Sequence, residues 1–130
     1  MATHTHSRNF NRGLGAVTAD EALTIQGGGE VEQITINDAV TDQEVACAID
    51  RSQLTSLYIK SSVIMTLETN SSSAATNTIV LKAGVPYIWS SPGDYNTCLI
   101  TADVTKIFLT NASGAAGTFE MYWGYGDVTP

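Results

Sequence analysis

Few side chains in this chain are of types that do chemistry, and their placement limits what they can do. The 130 residues include two histidines and two cysteines. His4 and His6 both sit in the opening stretch Met1-Ala2-Thr3-His4-Thr5-His6-Ser7-Arg8. A nucleophilic triad needs an imidazole within the folded body, so Ser-His-Asp and Cys-His arrangements are disfavoured. The two imidazoles can chelate a metal weakly, but no third ligand lies nearby in sequence, and a solvated terminus is the expected reading. Cys47 and Cys98 do not make the Cys pairs of a zinc site. Asp38, Asp42 and Glu44 could together bind calcium, but they lack EF-hand spacing. Thirteen acids make some close carboxylate pair expected, although most fall at turn-like positions where a solvated acid is the default. Gly27-Gly28-Gly29 is not followed by the Lys-Ser/Thr of a phosphate loop and reads as a flexible joint. Tyr87, Trp89, Tyr95, Tyr122, Trp123 and Tyr125 could form a sugar-stacking platform, but Trp89 and Trp123 fall on inward parities and read as core. No catalytic residue, metal or other cofactor is expected, and enzyme is the least supported class.

The elements that would position any site are strands. Thr, Ser, Val and Ile are frequent and Lys plus Arg number six, a palette that favours strands over helices. The chain suffices for one domain and has no apolar run near the roughly 20 residues that span a bilayer. Met1–Leu14 has no apolar core of a signal peptide, so a soluble protein made in a reducing compartment is expected. Both cysteines then read as buried free thiols, with Cys47 beside Val45 and Ile49 on an inward face. Net charge is −7, unevenly spread. Residues 1–15 hold Arg8 and Arg12 and no acid. The rest holds 13 acids against four bases, a net of −9. Such a body repels nucleic acid and anionic lipid, so neither is an expected partner.

The most informative stretch is Asn77–Trp89. Ile79 and Leu81 share one parity, and so do Val85, Tyr87 and Trp89 after the Ala83-Gly84 bend: strand, turn, strand, with one face kept inward. Pro86 places the start of the second strand at an edge or bulge. Trp89 is expected in the core with its indole N–H bonded. Elsewhere Ile34 and Ile36, then Val45, Cys47 and Ile49, then Phe119, Met121 and Trp123 alternate inward. Leu57, Ile59, Val63, Met65 and Leu67 share one parity, as one bent strand or two. Cys98–Ala102 and Lys106–Thr110 are further expected strands. Val17–Gln26 reads as a short helix or an extended segment. About eight strands at roughly ten-residue spacing predict an all-β, antiparallel β-sandwich or barrel-like jelly roll over residues 30–130. Residues 1–29 are read as an N-terminal arm with a Gly-rich joint.

Thr78-Ile79-Val80-Leu81-Lys82-Ala83-Gly84-Val85-Pro86-Tyr87-Ile88-Trp89, taken with Asp103-Val104-Thr105-Lys106-Ile107-Phe108-Leu109-Thr110-Asn111, resembles small all-β virion proteins of tailed bacteriophages. The resemblance spans about residues 55–127 and is one of packing pattern, so it carries over no functional residue. It implies a non-enzymatic structural role: a capsid decoration (cement) protein on the virion surface, made in the host cytoplasm, binding the major capsid protein as a trimer or other symmetric oligomer. A head–tail adaptor or tail component, and a carbohydrate- or ligand-binding sandwich module, are the alternatives. Within this picture the arm is mobile alone and orders on a partner, with Phe10 and Leu14 filling apolar pockets and Arg8 and Arg12 meeting acidic groups.

Overall fold

The computed structural model describes residues 2–11, 16–91 and 94–126; for residues 2, 8–11 and 16–25 it describes the backbone only. Strands are β1 Ala2–Asn11, β2 Ala16–Ile25, β3 Gly27–Ile36, β4 Val40–Ile49, β5 Leu54–Ser61, β6 Met65–Thr69, β7 Thr78–Leu81, β8 Tyr87–Ser90, β9 Val104–Asn111 and β10 Gly117–Tyr125. β1 and β2 form a two-stranded sheet. The others form two four-stranded antiparallel sheets, ordered β3-β10-β5-β8 and β4-β9-β6-β7. Every body connection except β6–β7 crosses from one sheet to the other. This interleaving is the jelly-roll order, so the expected sandwich is present in its jelly-roll form.

Alternation builds the core. Leu57 and Ile59 from one sheet meet Met65, Leu67, Ile107 and Leu109 from the other, and Phe119 and Met121 complete the layer; all are fully buried. The long inward parity from Leu57 to Leu67 belongs to two strands, β5 and β6, in opposite sheets. Trp89 is buried and its Nε1 donates to the Asn96 carbonyl at 3.1 Å. β8 lies at a sheet edge directly after Pro86, as a residue without an amide proton requires.

Four expectations need correction. Gly27-Gly28-Gly29 is not a joint: it is the start of β3, registered against Tyr125, Gly124 and Trp123. Gly28 has φ +135°, and a Cβ there would collide with the Trp123 carbonyl; one at Gly29 would lie 2.6 Å from the Trp123 ring. The glycines thus allow the edge strand to lie close against Trp123. The body therefore begins at Gly27 rather than Glu30. Val31, absent from the inward pattern, is buried because a bulge opposite Phe119–Met121 switches the parity of β3 between Val31 and Ile34. Val85, expected inward, is 53% exposed because it lies in the turn before β8. Cys98–Ala102 is not a strand. Cys98 and Ile100 are buried, but side chains replace a ladder: the Leu99 amide donates to the Tyr87 hydroxyl and the Thr101 amide to Asn77 Oδ1.

Both thiols are free and buried, and burial pushes Cys47 up to about 12. The unfolded thiol ionises at its ordinary 9.0. Its contribution to stability is therefore complete below that value and fades as pH rises from there through about 12. Native protein should leave both thiols unreacted with a maleimide near neutral pH, and denatured, unreduced protein should yield two per chain; an unreduced yield of none would contradict the fold. Gly28→Ala should lower stability by about 1–3 kcal/mol, read as a shift of the denaturation midpoint. An unchanged midpoint would place β3 elsewhere.

Candidate functional site

The N-terminal segment is ordered as a hairpin. β1 and β2 pair antiparallel from Ala2↔Ile25 to Asn11↔Ala16. The reading of residues 1–15 as an arm without regular structure is therefore corrected for Ala2–Asn11. The open choice over Val17–Gln26 resolves to the extended form over Ala16–Ile25. Thr3, Thr5 and Ser7 alternate with His4 and His6, and the polar trio faces water while the histidines turn inward. Of the four residues expected to meet a partner, Arg8 and Phe10 lie in β1, registered against Ala19 and Val17, with side chains outside the described residues. Arg12 and Leu14 lie wholly outside them.

The hairpin rests on the outer face of the first sheet. β5 alternates, so Leu57 and Ile59 enter the core while Ser56 and Tyr58 face outward. Ser56 Oγ is 2.7 Å from His4 Nδ1 and 2.8 Å from His6 Nε2. Beneath the histidines Ser56 and His6 are buried, and His4 is half-buried. A hydroxyl has one proton, so Ser56 can donate to one ring and must accept an N–H from the other. The cleft around this contact encloses about 510 Å³ and is lined by Thr3, Thr5, Tyr58, Ile88 and Tyr122 besides the three polar residues. Tyr58 and Tyr122 are cross-strand neighbours with ring centres 5.9 Å apart, and Tyr122 donates to Glu120 at 3.2 Å. Burial and then the Glu120 charge raise the Tyr58 phenol, so it stays protonated and able to donate.

Sequence reasoning missed this contact. His4 and His6 looked like a solvated terminus because their partner lies about fifty residues on. The signal was present in the His-x-His spacing, which puts two imidazoles on one face of a strand, but only the fold supplies Ser56.

The other groups singled out serve the scaffold. Asp38 accepts from the Gly114 amide, Asp42 accepts from Thr110, and Glu44 pairs with Lys106 at 3.5 Å across exposed surface. Among the described residues no three His, Cys, Asp or Glu gather as a metal cluster, and no helix is long and apolar enough to cross a membrane. Trp89 and Trp123 are buried, as the core reading requires, leaving Tyr95 as a fully exposed ring. A second, polar cavity of about 610 Å³ opens at one end of the sandwich beside Arg51, Ser52, Gln53, Thr55, Ser91 and Tyr125. There Arg51 stacks 5.1 Å from the Trp89 ring centre and donates through Nε to the Ile100 carbonyl at 2.6 Å. No protein-family model, curated protein or solved structure matches this chain.

Burial lowers the His4 imidazole below its ordinary 6.5. The undocked hairpin then binds the proton better than the docked one, so the contribution of His4 is present above 6.5 and is lost as pH falls through the lowered value. Amide exchange along β1, corrected for intrinsic rates, should be faster at about pH 5 than at about pH 7.5, while β5 and β10 stay protected. Equal β1 protection at both pH values would show that the contact does not hold the hairpin.

Proposed function

We propose that this is a non-enzymatic structural virion protein, a capsid decoration protein that binds and stabilises neighbouring major-capsid subunits as a trimer or other symmetric oligomer. The observation that carries the reading is the long hairpin, Ala2–Ile25, rooted at the edge strand of a compact jelly roll. A two-stranded ribbon is marginal by itself. The side-chain hydrogen bonds described between it and its own body converge on the single hydroxyl of Ser56. Such a segment gains order by lying along a neighbour, covering much surface with few residues. Jelly rolls recur in capsid and lectin domains, which fits the reading without selecting it.

A second feature supports contact between subunits. Val80 is 65% exposed and Leu99 46%, and with Val85 they surround a shallow apolar cleft of about 230 Å³ beside β7 and β8. β8 is the edge of the first sheet opposite β3, where the hairpin is rooted. Surfaces at opposite edges suit head-to-tail contacts that close into a ring. Exposed apolar patches rimmed by polar groups commonly mark interaction sites.

Purified protein should bind intact shells lacking tails at a copy number set by capsid symmetry. Deleting residues 2–15 should leave the melting temperature of the free protein nearly unchanged and weaken shell binding at least about tenfold, or about 1.4 kcal/mol. Val80→Asp should disturb assembly without unfolding the body. Equal attachment with and without the hairpin would move the contact to the sandwich, and binding only to tailed particles would favour an adaptor or tail component. The polar cavity beside Arg51 favours a second reading, a carbohydrate- or ligand-binding module. A saturable rise in melting temperature with one member of a glycan panel would support it over the structural role.

A further inference from the structure

The contact between His4, His6 and Ser56 has the make-up of a metal site as well as of a latch. The two ring nitrogens come from one strand and aim at one point, because alternate residues of a strand share a face. The third donor, Ser56 Oγ, comes from β5 and lies 2.7 Å and 2.8 Å from them. We propose that His4 Nδ1, His6 Nε2 and Ser56 Oγ bind one divalent d-block ion of the zinc, nickel or copper class, with water filling the remaining positions, and that the ion staples β1 to β5.

The chemistry follows from the donors. Imidazole nitrogen suits zinc, copper and nickel, whereas calcium and magnesium take oxygen ligands. A zinc–nitrogen bond is about 2.0–2.1 Å, so an ion entering between the rings draws both nitrogens closer together than a shared hydrogen-bond acceptor does. The ring that donates to Ser56 shifts its N–H to its other nitrogen so that both facing nitrogens are bare, while the Ser56 hydroxyl keeps its proton and turns it away from the ion. The surrounding cleft of about 510 Å³ is open and partly polar, which gives room for water ligands. Tyr58 and Tyr122 line the same cleft, and their phenol oxygens can accept hydrogen bonds from those waters. With two nitrogens and one neutral oxygen from the protein, the site is weaker than a four-ligand structural zinc site. Binding in this form joins the hairpin to the sheet, so occupancy shows up as order in β1. The site stands on the geometry alone and does not depend on the virion reading.

The test uses tag-free, full-length protein stripped with a chelator and titrated with zinc, nickel or magnesium chloride, read by calorimetry and by amide exchange. Zinc and nickel should bind with one ion per chain and raise β1 protection, by up to about a hundredfold at a free-ion concentration a hundred times Kd. Magnesium should do neither. His4→Ala and His6→Ala should each weaken binding at least tenfold while the body keeps its melting temperature. Ser56→Cys, kept reduced, should tighten zinc binding at least tenfold, because a thiolate replaces a hydroxyl at the ion; a purely structural Ser56 predicts no gain. The proposal is overturned by absent saturable zinc or nickel binding, by binding that survives both histidine substitutions, by an equal magnesium response, or by no gain in Ser56→Cys.

Discussion

The structure depends on one constraint: eight strands share a single dry layer while the chain switches sheets at nearly every connection. Each strand must commit one parity to that layer, because burying the other would leave polar side chains unpaired against Leu57, Leu109 and Phe119. The switches place backbone polar groups at the corners, where side chains satisfy them. Buried Asn111 shows how. Its Nδ2 donates to the Ile36 carbonyl at 3.0 Å and the Ala115 carbonyl at 2.8 Å, fastening the end of β3 to the turn before β10. Asn70, at φ +72°, does the same on another corner through the Asp103 carbonyl and the Thr105 amide.

The same constraint explains what could be read from the sequence. Parity gave Cys47, Ile49, Leu57, Ile59, Met65, Leu67, Trp89, Phe119 and Met121 as core, and all are buried. A core position needs only an apolar side chain and a period of two, both local properties. The failures are equally physical. The bulge in β3 inserts a residue and reverses parity at Val31. Cys98–Ala102 keeps an alternating pattern because it covers the core, yet side chains rather than a neighbouring strand take its amides. Alternation reports burial, not ladder pairing. The glycines at 27–29 looked permissive, but their function is close approach to Trp123, a contact with a residue almost a hundred positions away.

The hairpin was the least legible part, for a related reason. Its strands have little apolar alternation, so nothing local announces them. Their pairing is satisfied between β1 and β2, and the described side-chain hydrogen bonds that place them meet a hydroxyl in β5. Two histidines in a polar, basic terminus carry meaning only once that hydroxyl is opposite them. The charge argument pointed to a mobile basic arm on an acidic body, but the described contacts between hairpin and body are hydrogen bonds of neutral type. Exposed ion pairs contribute only about 0–1 kcal/mol, too little to decide between these outcomes.

Two consequences of docking at Ser56 bear on the proposed function. Because the described side-chain hydrogen bonds from hairpin to body converge on one hydroxyl, a neighbour offering a few apolar contacts at about 1.5–3 kcal/mol each would compete with that contact on the proposed reading. Conversely, anything that binds only the docked form stabilises it in proportion to its concentration over Kd, whether that is a partner surface or an ion between the rings. The body needs neither, since its core is complete from Val31 to Trp123. On the proposed reading, stability and partner contact are carried by different parts of the chain. On that reading, changes in the hairpin alter assembly without touching the core, whereas changes at Gly28, Leu57 or Phe119 act on the fold first.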